Sequence, residues 1–149
     1  MKSLETYQNF YFVGIGGIGM SALARYFQAS GKTVLGYDKT LTKLTSALIL
    51  EGMDVVFEDV VTEKIKTLNK ENTLVIYTPA ITKWEILQYF ADNAFTVLKR
   101  AKVLGMITEN TNCIAIAGTH GKTTTSSLVA LLCEEATLPF SCFFGGTAE

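Results

Sequence analysis

The chain has 149 residues, 48% of them hydrophobic, with 13 basic and 14 acidic side chains and a net charge of −1. That length and apolar content fit one domain with a proper core, or one domain and part of another, and exclude a disordered protein. The near-neutral balance gives no electrostatic case for nucleic acid or an anionic membrane, and no apolar run approaches the roughly 20 residues of a membrane span.

The N-terminus, Met1 to Asn9, is polar and does not read as a secretory leader. The cysteines, Cys113, Cys133 and Cys142, are odd in number and fit no zinc spacing. We expect buried, reduced thiols in a cytoplasmic protein.

Phe10-Tyr11-Phe12-Val13 is a continuous apolar run, as expected for a strand buried on both faces of a parallel sheet. It leads into Gly14-Ile15-Gly16-Gly17-Ile18-Gly19, which has the spacing G-x-G-x-x-G. A helix follows, with Met20, Leu23, Ala24 and Phe27 on one face, and Ser30-Gly31 stops it. Thr33 to Tyr37 reads as a second strand that ends at Asp38. Strand, glycine turn, helix, strand and acid make the layout of a Rossmann-type nucleotide site. The glycines permit close approach to a pyrophosphate, and Asp38 can accept hydrogen bonds from a ribose or another hydroxyl. The bland alternative is a turn that only packs helix on strand.

The α/β rhythm continues. Leu41, Leu44 and Leu48 mark a helix ending near Gly52, and Val55 to Phe57 a short strand. Val61 to Leu68 reads as helix and Thr73 to Tyr77 as another buried strand, with Thr78-Pro79-Ala80-Ile81 as the loop after it. Trp84 to Asn93 reads as helix. Its aromatic residues Trp84, Tyr89 and Phe90 fit a core face better than a surface patch. Phe95 to Leu98 is a fifth strand, and a helix runs from Lys99-Arg100 to about Ile107. The polar stretch from Glu109 to Asn112 suggests a boundary between a first domain, residues 1–109, and a second, residues 110–149.

The second part opens with an apolar run, Cys113 to Ala117, expected as a strand. The loop Gly118-Thr119-His120-Gly121-Lys122-Thr123-Thr124 comes next, then a run from Ser126 to Ala136 that reads as helix. Loop N–H groups and an open helix N-terminus attract an anion, and a Lys-Thr pair there suits terminal phosphates and magnesium. The spacing is shorter than the common G-x-x-x-x-G-K-[ST] form, with Ile116 where its first glycine would stand. Leu138-Pro139 breaks the helix, and Phe140 to Phe144 reads as one more strand. The fold expected is α/β: a Rossmann-like doubly wound parallel sheet followed by the beginning of a P-loop ATPase domain. That beginning has too few elements to bury a core, which suggests a longer protein.

Gly118-Thr119-His120-Gly121-Lys122-Thr123-Thr124 resembles the ATP loop of the Mur ligases, the amide-forming enzymes of bacterial peptidoglycan synthesis. The stretch from Tyr11 to Ser21 is similar to the N-terminal signature of that family's alanine-adding branch, and less so to its muropeptide-recycling branch. Gly36-Tyr37-Asp38, Thr78-Pro79-Ala80-Ile81 and Lys99-Arg100-Ala101 resemble further family stretches, though serines often replace Thr78 and Pro79. Many relatives carry a histidine after the third strand, where this chain has Glu58-Asp59.

The resemblance implies that the first domain holds the UDP part of UDP-N-acetylmuramate rather than a dinucleotide cofactor. Gly14, Ile15, Gly16, Gly17, Ile18 and Gly19 would face the diphosphate, Asp38 the nucleoside, and Thr78, Pro79 and Ala80 would close the site. ATP would lie on Gly118, Thr119, His120, Gly121, Lys122, Thr123 and Thr124. Lys122 would neutralise the transferring phosphate and Thr123 would ligate Mg2+. The reaction implied joins L-alanine to the muramyl carboxylate through an acyl phosphate. The adenine pocket, a second magnesium site and the alanine site lie further along in the family, so this chain alone is expected to be inactive, with a tendency to self-associate. Three other readings stay open: a recycling ligase, an NAD-binding redox or regulatory module, and a binding domain without chemistry.

Overall fold

The computed structural model describes residues 2–79, 84–109 and 111–144. Five parallel strands form one sheet: β1 Asn9–Val13, β2 Thr33–Tyr37, β3 Asp54–Val56, β4 Thr73–Tyr77 and β5 Thr96–Lys99. Their spatial order is β3-β2-β1-β4-β5. The helices are α1 Ile18–Ala29, α2 Lys43–Leu50, α3 Glu63–Lys66, α4 Glu85–Asp92, α5 Arg100–Thr108 and α6 Lys122–Glu135. This is the expected doubly wound α/β sheet.

The apolar runs form strands because both faces of the sheet are covered. Along β1, Phe10 and Phe12 enter one core, and Tyr11 and Val13 the other. The first core receives Met20, Leu23, Ala24 and Phe27 from α1, Leu48 from α2, and Val103 and Ile107 from α5. The Phe10 and Phe27 rings stack at 3.8 Å. The second core joins Leu35, Tyr37 and Val75 to Ile65 of α3 and to Ile86 and Phe90 of α4. Each fully buried aliphatic or aromatic side chain contributes about 1.5–3 kcal/mol, which outweighs the weak strand preference of any single residue. Trp84 is half-buried and meets Tyr37 edge-on at 4.8 Å, in agreement with a core role.

Several expected elements differ. Leu41 lies outside α2 and is 66% exposed, because Thr42 caps the helix through a reciprocal pair with Thr45. The helix expected over 61–68 is the single turn α3, started by the Thr62 side chain. Helix α6 starts at Lys122, four residues before the predicted Ser126, because Gly121 in the left-handed region turns the loop straight into the helix. Neither Cys113 to Ala117 nor Phe140 to Phe144 is a strand. Among the described residues no neighbouring strand offers either a ladder, and an extended run without a partner forms no sheet. The cysteines are free, as expected, but not buried: Cys113 and Cys142 are exposed and Cys133 is half-buried. All three lie in the 111–144 segment, whose helix α6 has no buried residue. Among the described residues, no helix is long and apolar enough to cross a membrane.

Candidate functional site

In an open parallel sheet, ligands bind beyond the carboxyl ends of the strands, where connections leave towards opposite faces. Here that point lies between β1 and β4. Helix α1 leaves β1 for the first core, and α4 follows β4 on the second. The carboxyl ends of β1 and β4 are paired, with Val13 opposite Tyr77.

The glycine turn sits at this edge. The Gly14 and Ile15 N–H groups donate to the Tyr37 carbonyl at 2.7 and 3.0 Å, which fixes the turn to the end of β2. Asp38 does more than point outward. Its Oδ2 accepts from the Gly16 N–H at 2.7 Å, and its Oδ1 from the Thr40 N–H at 3.1 Å. A Cβ at position 16 would stand 2.8 Å from Asp38 Oδ2 and 2.7 Å from Thr45 Cγ2, so a side chain there would force both to shift and disturb the Asp38–Gly16 bond. Each carboxylate oxygen keeps a second lone pair for a ligand hydroxyl. The first helical bonds of α1 run from the Met20 and Ser21 N–H groups to the Gly17 carbonyl. The Ile18 and Gly19 N–H groups precede them and are open at the helix N-terminus. Gly17 and Ile18 are exposed.

After β4, Thr78 is half-buried and Pro79 exposed at the same edge. Ala80 and Ile81 lie outside the described residues. After β5 comes Arg100, the first residue of α5, half-buried. Its guanidinium lies against Gly19: a Cβ built on that glycine would stand 2.9 Å from Nη1 and 3.1 Å from Cζ. The structure therefore brings Gly14 to Gly19, Asp38, Thr78, Pro79 and Arg100 to one edge of the sheet. Arg100 was not singled out as a site residue by the sequence. The available signal was a basic residue directly after a parallel strand, at the edge where such sheets bind anions.

On the far face, Asp59 accepts the Glu85 and Ile86 N–H groups at 2.9 and 3.1 Å and so caps α4. The residue that stands near the family's histidine position thus has a structural partner. Burial raises the Tyr37 phenol above its usual value, with smaller contributions from Asp59 and Asp38. It is a hydrogen-bond donor rather than an anion at neutral pH.

The second loop is built differently. Gly121 precedes α6 at φ 75° and ψ 5°. The first helical bond runs from the Thr125 N–H to the Gly121 carbonyl, so the N–H groups of Lys122, Thr123 and Thr124 are open. Lys122 Nζ folds back over the loop and donates to the Gly118 and Thr119 carbonyls at 2.6 and 3.3 Å. An ammonium held above open N–H groups is a cradle for phosphate. His120 is exposed, and Thr123 is half-buried in the first turn. No cluster of three His, Cys, Asp or Glu side chains capable of holding a metal occurs among the described residues. A separate cleft of about 560 Å3 lies between the outer face of α1 and residues 141–144, lined by Ile18, Arg25, Tyr26, Leu44 and Phe143 among others. It shares only Ile18 with the glycine turn.

Residues 9–111 match the family described as Mur ligase family, catalytic domain. The chain belongs to the Mur ligase family. It is 47% identical, over its whole length, to the UDP-N-acetylmuramate–L-alanine ligase of Christiangramia forsetii, of which it covers 34%. Over 99% of its length it is 51% identical to the enzyme of that name from Flavobacterium psychrophilum, of which it covers 33%. Among solved structures, the UDP-N-acetylmuramate–alanine ligase of Thermotoga maritima aligns with a TM-score of 0.75 and 28% identity, over 87% of this chain and 30% of that one. A murein peptide ligase from Psychrobacter arcticus shares the fold, with a TM-score of 0.74 at 24% identity. The chain thus spans about a third of the length of the curated relatives it matches. Membership in the Mur ligases favours the ligase reading of the two loops over a nicotinamide module.

Proposed function

We propose that the chain carries the UDP-sugar-holding unit and the ATP loop of an ATP-dependent ligase that joins L-alanine to UDP-N-acetylmuramate. The observation that carries this reading is the similarity, across the whole chain, to ligases named for that reaction. Two phosphate-suited loops on one chain support it, since a nicotinamide module needs only the first. The relatives' names favour the alanine-adding branch over the recycling branch.

In this reading residues 1–109 form the UDP-sugar unit, and residues 110–149 begin the ATP unit. The burial pattern supports the division: among the described residues, the buried apolar side chains run from Tyr7 to Ile107. The open N–H groups of Ile18 and Gly19 take the diphosphate, while Gly14 to Gly17 shape the turn that brings it close. Asp38 holds the turn through Gly16 and takes a nucleoside hydroxyl on its free lone pairs. Thr78 and Pro79, at the same edge, close the site.

At the second loop, the N–H groups from Gly118 to Thr124 cradle the ATP phosphates. Lys122 moves from the Gly118 and Thr119 carbonyls to the transferring phosphate and offsets its charge. The Thr123 hydroxyl would hold the magnesium that accompanies ATP, which would supply further charge neutralisation. Catalysis of this kind consists of positioning and charge stabilisation. The γ-phosphoryl group passes from ATP to the muramyl carboxylate as ADP leaves, and the alanine amine then attacks the acyl carbon, releasing phosphate and a proton. His120, exposed in the loop, takes a nucleotide contact rather than a general-base role.

We propose that the chain alone binds without ligating and that it works in the cytoplasm with its nucleotide substrates. The exposed side chains of Leu128, Leu131 and Leu132 on α6 favour self-association of the isolated chain. The test is titration with UDP-N-acetylmuramate beside NAD. Saturable binding of the first is expected, and binding of NAD alone overturns the reading.

A further inference from the structure

Thr45 is fully buried, and the two branches of its side chain have different partners. It stands third in α2, and its hydroxyl belongs to that helix. Oγ1 accepts from the Thr42 N–H at 2.8 Å and donates to the Thr42 carbonyl at 3.1 Å, as part of the reciprocal cap. The methyl belongs to the glycine turn. Cγ2 lies 2.7 Å from the point where a Cβ on Gly16 would stand.

The turn needs such support. Glycine loses more conformational freedom on ordering than any other residue and has no side chain with which to anchor itself. Its neighbour Ile15 is buried, with Cδ1 2.7 Å from the Cβ position of Gly36, so the turn is locked to β2 just before Gly16. At Gly16 the Asp38 carboxylate takes the N–H at 2.7 Å. One hydrogen bond sets a distance and leaves the tilt of the peptide free, and the Thr45 methyl fills the space into which Gly16 would otherwise tilt. Gly17 and Ile18, the next two residues, are exposed and face the ligand side.

We infer that Thr45 is a positioning residue of the nucleotide site, whose methyl, delivered by the first turn of α2, holds Gly16 so that the N–H groups after it stay aimed at the ligand. Thr45 touches no ligand in this account and acts through Gly16. This rests on the reading of the first domain as a sugar-nucleotide site. Because the hydroxyl serves α2 and the methyl serves the turn, substitution can separate the two.

Thr45→Ser keeps the hydroxyl and removes the methyl, while Thr45→Val keeps the methyl and removes the hydroxyl. The experiment compares both with the wild-type chain, at a temperature where all three are folded. It reads amide hydrogen exchange at Gly16 and calorimetric titration with UDP-N-acetylmuramate, uridine and NAD. In Thr45→Ser the Gly16 N–H should exchange faster, and UDP-N-acetylmuramate should bind about threefold to tenfold more weakly, the range for one hydrogen bond. Uridine, which has no phosphate, should bind all three proteins alike. Thr45→Val should match wild type in exchange and affinity, yet unfold at a lower temperature because the Thr42 N–H loses its acceptor. A merely structural residue would give no such split, since affinity would follow stability. Undiminished UDP-sugar binding by Thr45→Ser overturns the inference, as does an equal or larger loss in Thr45→Val or an equal loss for uridine. If wild type binds NAD and not the UDP-sugar, the proposed function fails. A threefold loss of NAD confined to Thr45→Ser would then still uphold Thr45 as the positioning residue. Binding of neither nucleotide by wild type overturns both.

Discussion

Tyr11 carries a conflict that its ring does not. The ring is 2% exposed and packs 4.9 Å from Phe90, yet its hydroxyl is buried with no hydrogen-bond partner among the described residues. Burial pushes the phenol well above its usual value, with Asp54 and Asp59 adding to the effect. Leaving a buried hydroxyl unmatched costs about 1 kcal/mol or more. Tyr11→Phe should therefore raise the stability of the chain by about 1 kcal/mol, read as a higher urea midpoint with an unchanged slope. A lower midpoint would mean that the hydroxyl has a partner. Residues differ in how far the sequence exposes such details. Asp38 was legible as an acid ending the second strand, because its role follows from order along the chain. Its bond to Gly16 and the reach of Arg100 to Gly19 were not, because both depend on side chains that only the folded sheet brings together.

Helix ends decide which elements form and where. Asp59, on the loop after β3, closes the N-terminus of α4, whose own N-cap residue, Trp84, has no capping side chain. Asp59→Ala should cost about 1 kcal/mol, the usual value of a lost cap, and Asp59→Asn only part of it. Equal urea midpoints for Asp59→Ala and wild type would contradict the assignment. A second link joins α1 to the end of α2, where Arg25 Nε and Nη2 donate to the two Glu51 oxygens at 2.8 and 2.7 Å. The hydrogen bond from Arg25 lowers the Glu51 carboxyl below its ordinary 4.5. A depressed carboxyl contributes stability above its unfolded value and loses it as pH falls through the folded one. Both side chains are partly solvated, so Arg25→Gln should cost only about 0.5 kcal/mol at neutral pH. The difference from wild type should shrink once the pH drops below 4.5. A difference that stays constant with pH would contradict the pairing. At this scale the buried strands were readable because an apolar run bounded by turn residues has few other uses in an α/β chain. Cys113 to Ala117 looks the same in sequence, yet hydrophobicity does not create a neighbouring strand.

Across the molecule, the two phosphate-suited loops sit in different settings. The glycine turn is anchored to β2 and backed by two buried cores. The second loop leads into α6, which buries none of its residues. Both loops were legible in the sequence, since glycine, lysine and threonine at fixed offsets have a direct physical use. The unequal burial was not legible, since it depends on which surfaces the chain covers. A preformed glycine turn should bind its ligand without rearrangement of the sheet, and the central claim is that this ligand is a UDP-sugar. The most direct test is calorimetric titration of the chain with UDP-N-acetylmuramate, with NAD as the parallel control. The account predicts saturable binding of the UDP-sugar at one site per chain and none of NAD. Saturable NAD binding without UDP-N-acetylmuramate binding would contradict it.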